Sequence, residues 1–110
     1  MADNNVRMRD VYEVPIDELD LLDMSTVHDY LRVTLGFPEY YGKNLAALSD
    51  CLGDISEPTR LYVMRDATMS SDSDYAIEMD RLCMVLLHAA RENPMLSVSI
   101  NTVRWPEHES

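Results

Sequence analysis

Apolar residues recur along this chain at two different spacings, and the alternation between them sketches an architecture. Tyr12, Val14 and Ile16 alternate with Glu13 and Pro15, which predicts a strand from Val11 that ends near Pro15. Leu96, Val98 and Ile100 alternate with Ser97 and Ser99 in the same way, predicting a last strand. Leu61-Tyr62-Val63-Met64 is nearly continuous, the pattern of a strand buried on both faces of a parallel sheet. Between these runs the spacing becomes helical. Val27, Tyr30, Leu31 and Leu35 predict a helix that Ser25 caps, with Thr26 and Asp29 at capping-box spacing and Gly36 as its stop. From about Ser73 to Asn93, Ala76, Met79, Leu82, Cys83, Leu86 and Ala90 form a longer stripe, widened by Val85 and Leu87 and closed by Pro94. The methionines of this helix read as core filler. Strands alternating with helices imply a small α/β domain, a three-stranded parallel sheet covered by three to four helices, with right-handed crossovers.

The segments between these elements are polar. Met1 to Met8 reads as loose, within a flexible stretch 1–10. Asp17 to Asp23 reads as a connection that tucks Leu19 and Leu22 beneath it, Asp54 to Pro58 as a turn, and Asp66 to Asp74 as a loop whose acids favour the positive end of the following helix. The domain is expected over 11–101, followed by a tail, 102–110, whose Trp105 either packs back or stays exposed.

The stretch Phe37 to Leu52 organises the rest. Pro38 holds Phe37 extended, Gly42 can take the positive φ of a tight bend, and Asn44 is a good N-cap. In the helix that follows, Leu45, Leu48 and Leu52 share one side with Cys51 at its margin. Asp50 projects from the opposite side beside Ala46 and Gly53. The expected water-facing surface is therefore small residues around one carboxylate, with Tyr40 and Tyr41 at its entrance. His28 falls off its helix's stripe and is expected to face solvent.

Composition narrows the function classes. With 20 acids against nine bases among 110 residues, the formal charge is −11, which repels nucleic acid and acidic membranes and draws in a basic partner. No apolar run is long enough to span a bilayer, and Met-Ala-Asp-Asn-Asn has no signal-peptide pattern, so a cytoplasmic protein is expected. Cys51 and Cys83 read as buried thiols. His28, His88 and His108 are scattered without metal-ligand spacing, and three glycines leave no phosphate-cradling loop. No arrangement of carboxylates selects an acid–base pair. The reading is a binding protein, not an enzyme, with no cofactor and no metal.

Pro38, Glu39, Tyr40, Tyr41, Gly42, Asn44, Leu45, Ala47, Leu48, Asp50, Cys51 and Leu52 together resemble the signature of the barstar family, intracellular inhibitors of secreted bacterial ribonucleases. The resemblance is weaker through Ser25 to Gly36 and through the final helix and strand. It implies the same α/β architecture, and a binding surface of Tyr40, Gly42, Asn44, Ala46, Ser49, Asp50, Gly53 and Asp54 that enters a nuclease's active-site cleft. Asp50 matches the family's key aspartate and would stand in for the scissile phosphate. Tyr40 and Asn44 would position it, with Gly42 keeping the backbone close.

The departures from the family are specific. Its best-known member has a second acid where this chain has Ala46, a tryptophan at Ser49, a glutamate at Ala89, a threonine and a glycine at Gly53 and Asp54, and a tryptophan at Ile55. Asp54 and Glu57 could restore the missing charge. The implied partner is a basic ribonuclease or ribonuclease toxin domain, met by a free monomer acting as an immunity protein or antitoxin. The alternative is a barstar-like interaction or regulatory module without a nuclease target.

Overall fold

The computed structural model describes residues 11–21, 23–66 and 73–103. Three strands, β1 (Tyr12–Asp17), β2 (Thr59–Asp66) and β3 (Leu96–Val103), are joined through helices α1 (Glu18–Leu21), α2 (Met24–Leu35), α3 (Leu45–Gly53) and α4 (Asp74–Glu92). The strands lie in the order β1-β2-β3 and both pairings are parallel, as the alternation of elements leads one to expect. The expectations for the N-terminal stretch, the packing of Leu19 and Leu22, the loop interior at 67–72 and Trp105 fall outside what is described.

Register explains the core. Val14, Leu61 and Val98 stand in one row across the sheet, and Ile16, Val63 and Ile100 in the next. Val14, Ile16, Leu61 and Val63 are fully buried against Val27 and Leu31 of α2, Leu48 and Leu52 of α3, and Met79, Leu82 and Leu86 of α4. Each such side chain contributes about 1.5–3 kcal/mol by leaving water. The opposite face of the sheet, with Glu13, Pro15, Arg60 and Ser97, stays at the surface.

Several sequence expectations are corrected here. β2 is not buried on both faces: Leu61 and Val63 are sealed, but Tyr62 and Met64 are half-buried, so the alternation is that of a one-sided sheet. β1 runs through Pro15 to Asp17 instead of stopping at the proline. Pro15 is tolerated because β1 is an edge strand, where a missing N–H breaks no interior ladder. The carbonyl of Pro15 accepts the Tyr30 hydroxyl from α2. β3 likewise continues past Ile100 to Val103, paired with Met64–Asp66.

The cap of α2 is Asp23, not Ser25. Asp23 Oδ1 accepts the Thr26 backbone N–H at 2.8 Å, and that bond holds the Asp23 carboxyl below its usual range. Gly36 closes α2 as expected, at φ 73° with its N–H donated to the Arg32 carbonyl. In α4 the stripe holds, with Ala89 buried and Ala90 half-buried, but Leu87 and Met84 are exposed.

Candidate functional site

The turn between α2 and α3 displays one tyrosine because it anchors the next. Phe37 and Tyr41 are both buried, with ring centroids 5.2 Å apart, and the Tyr41 N–H closes a turn onto the Pro38 carbonyl at 3.0 Å. The Tyr41 hydroxyl meets His28 Nδ1 at 2.5 Å. Burial pushes the Tyr41 phenol up to about 12, with Cys51 adding to the shift, so the phenol keeps its proton. With Tyr41 held inside, Tyr40 is left 88% exposed.

His28, expected in solvent, is therefore a core residue only 5% exposed. Helical spacing placed it off the stripe, but its partner comes from the turn and not from its own helix. Burial pushes its pKa below the ordinary 6.5. The Lys43 ammonium adds to that shift, against weaker pulls from Glu78 and Asp29. The unfolded chain then takes up a proton that the folded chain refuses. Stability is expected to be complete above about 6.5 and to fall as pH drops from there to the lowered folded value. Urea unfolding across this range checks the sign, and His28→Gln should flatten the slope.

Gly42 has a different role from the one expected. The positive φ belongs to Lys43, at 56°, while its ammonium bonds the Ser25 hydroxyl at 3.0 Å and Asp29 at 3.2 Å. A Cβ on Gly42 would meet the Asn44 side-chain nitrogen at 3.1 Å. That amide is engaged, because Asn44 Oδ1 caps α3 by accepting the Ala47 N–H at 2.8 Å. Gly42→Ala should therefore disturb the cap and cost about 1 kcal/mol, read as a lowered urea midpoint with an unchanged slope.

α3 divides as its sequence predicts. Leu48 and Leu52 are sealed in the core, and Ala46, Asp50 and Gly53 face water, with Ser49 half-buried. Asp50 carries no ion pair or side-chain hydrogen bond among the described residues. Asp54 follows one turn later as the C-cap, through its backbone N–H. Both carboxylates sit at the negative end of the helix dipole, with no basic residue in the last turn.

Tyr40, Asp50 and Asp54 line one groove of about 650 Å³, which Glu57 and Cys51 also border. Burial pushes the Cys51 thiol up, and the nearby Asp54 and Asp50 carboxylates add to that shift. Ala46, Ser49, Gly42, Asn44 and Gly53 lie outside this groove, and Ala89 is turned into the core. Val33 and Tyr12, on its walls, were not anticipated. For Val33 the signal was available: an apolar residue standing off the stripe of its own helix.

Among the described residues no helix is long and apolar enough to cross a membrane. A family model described as "Barstar (barnase inhibitor)" matches residues 11–101. A Bacillus subtilis (strain 168) protein named "Putative ribonuclease inhibitor YrdF" is 48% identical over 40 residues. That stretch spans 36% of this chain and 44% of the relative's length.

Proposed function

The chain belongs to the barstar family, and from that membership we propose that it inhibits a basic ribonuclease by occupying the enzyme's catalytic cleft. The observation that carries this is Asp50: an exposed carboxylate with no ion pair or side-chain hydrogen bond among the described residues, on a helix whose other side is locked into the core by Leu48 and Leu52. A ribonuclease holds its phosphodiester with cationic side chains, so its cleft is an anion receptor. A carboxylate on a rigid helix can take the phosphate's place, where pairing with a planar guanidinium is strong. Tyr40, exposed and held by its buried neighbour, offers a flat ring beside that carboxylate.

The charge of −11 would raise the rate of encounter with a cationic enzyme and make it salt-sensitive. The work is occlusion rather than catalysis. It would be carried out in the cytosol by a free monomer, protecting the cell's own RNA from a nuclease or toxin domain, with no cofactor. Asn44 and Gly42 serve indirectly, by fixing the start of α3.

A second reading has one observation in its favour. Ala46 and Ser49 leave one flank of α3 without charge, and Ala89 is buried, as a scaffold adapted to another partner would allow. The two part in a competition assay. The chain should stop RNA cleavage by its target at one equivalent, and an active-site 3′-mononucleotide should slow its association competitively. Inhibition that ignores the mononucleotide removes phosphate mimicry. An absence of inhibition toward every basic ribonuclease of the producing cell and its competitors leaves the scaffold reading.

A further inference from the structure

The large apolar side chains that α2, the turn and β1 leave exposed gather in one place. Tyr12, Val33 and Tyr40 are exposed, Val33 to 68%, and all three line the groove beside Asp50. The groove holds about 650 Å³, room for a short stretch of polypeptide rather than an ion. Leu35, Phe37 and Ile55 contribute to the same lining, so much of it is apolar. Among the described residues, Asp50, Asp54 and Glu57 supply its charged side chains. None of the three is engaged by an ion pair among the described residues.

We infer that this groove receives a basic segment of the nuclease lying outside its catalytic cleft, an arginine or lysine next to an apolar side chain. The two kinds of lining ask for two different things. The methylene stem and the apolar neighbour lie along Val33 and Tyr12, while the cationic head reaches Asp54 and Glu57. The surface that selects the partner thus runs from Asp50 toward the end of α2 and the turn at Ser56-Glu57. It does not run toward Ala46 and Ser49, which carry no charge. Asp54 and Glu57 then act as determinants of specificity, and Val33 as the apolar anchor.

The inference rests on the nuclease reading for who supplies the segment, and the test separates the two. The peptide Ac-Gly-Leu-Arg-Gly-NH2 is titrated into the 15N-labelled chain, with Ac-Gly-Leu-Glu-Gly-NH2 as the control. Amide shifts should change at residues 33–40 and 50–59 with the arginine peptide only. Raising salt from about 20 to about 300 mM should weaken the effect. Asp54→Asn and Glu57→Gln should each weaken binding about two- to fivefold, the range for partly exposed ion pairs, and Val33→Lys should abolish it. All three side chains are exposed, so these variants keep the fold, which the amide spectrum itself reports. Shift changes scattered over the other acidic surfaces, or binding indifferent to Asp54→Asn and Glu57→Gln, overturn the groove inference and leave nuclease inhibition standing. Loss of inhibition as a function, with the peptide response intact, removes the nuclease and leaves the groove.

Discussion

Replacing Asp50 with alanine is expected to weaken nuclease binding by roughly 30- to 4,000-fold while leaving the domain as stable as before or slightly more so. The binding loss follows from what a desolvated charge pair contributes. Truncating one member costs about 2–5 kcal/mol, a range in which nuclease–inhibitor pairs of this family are themselves among the measured cases. Much of that cost is the enzyme's cation left buried without its anion. The stability change has the opposite sign for a local reason. Asp50 has no ion-pair partner among the described residues, lies in the last turn of α3 where the dipole is negative, and has Asp54 four residues on. Alanine also favours helix more than aspartate does. A gain of about 0.5–1 kcal/mol is expected. Calorimetric titration and a thermal melt on the same preparation check both signs. A variant that loses binding and stability together would make Asp50 a structural residue, and one that binds as before would remove it from the interface.

That pairing of signs reflects a wider division between what the chain states locally and what it settles only on folding. Where the cause is local, the sequence is readable. Gly36 stops α2 because the helix needs a left-handed residue there, Asn44 caps α3 through its own side chain, and Leu48 and Leu52 point away from Asp50 by helical geometry alone. The Tyr40-to-Leu52 face could therefore be outlined before any fold was known. Errors arise where the deciding partner is distant. His28 lies off its helical stripe, and a tyrosine 13 positions on makes it a core residue. Pro15 ends a strand only if that strand is interior, and β1's place at the edge is a property of the whole sheet. Near misses occur where local options compete. Asp23, Ser25 and Thr26 can all cap a helix, and the choice rests on which oxygen the Thr26 N–H reaches. Glu57 belongs with the distant cases, although its charge alone marks it as a candidate. Its sequence position puts it in a polar turn, and only the return of the chain from α3 into β2 carries it to the groove that Asp50 borders.

Arg65 gives the second large effect, and it concerns the fold alone: Arg65→Leu is expected to destabilise the domain by about 3–5 kcal/mol. Glu18, at the start of α1, is only 1% exposed. Its carboxylate accepts the Arg65 Nε at 2.7 Å and the Asp66 backbone N–H at 3.1 Å, and its carbonyl accepts the Tyr75 hydroxyl at 2.5 Å. Arg65 also reaches Asp80 of α4 at 2.8 Å. One half-buried cation thus ties α1, β2 and α4 together, with Glu18 and Arg65 lying 47 positions apart in sequence, which is why an acidic connection was all that local reading made of Glu18. Without the guanidinium, the carboxylate stays sealed with one backbone donor, and a lone buried charge is far costlier than a matched pair is beneficial. For a domain whose total stability is about 5–15 kcal/mol, that loss lowers the melting temperature by tens of degrees. The double replacement Glu18→Leu with Arg65→Leu separates charge from packing. Removing both ions takes away the partner of the exposed Asp80, the long Cys83 Sγ contact and the Glu18 acceptor of the Asp66 N–H, so more than half of the lost stability should return, read from urea midpoints of the four proteins of the cycle. If the double variant is as weak as the single one, the guanidinium's role is to fill space between β2 and α4, and the carboxylate is not what makes its removal costly.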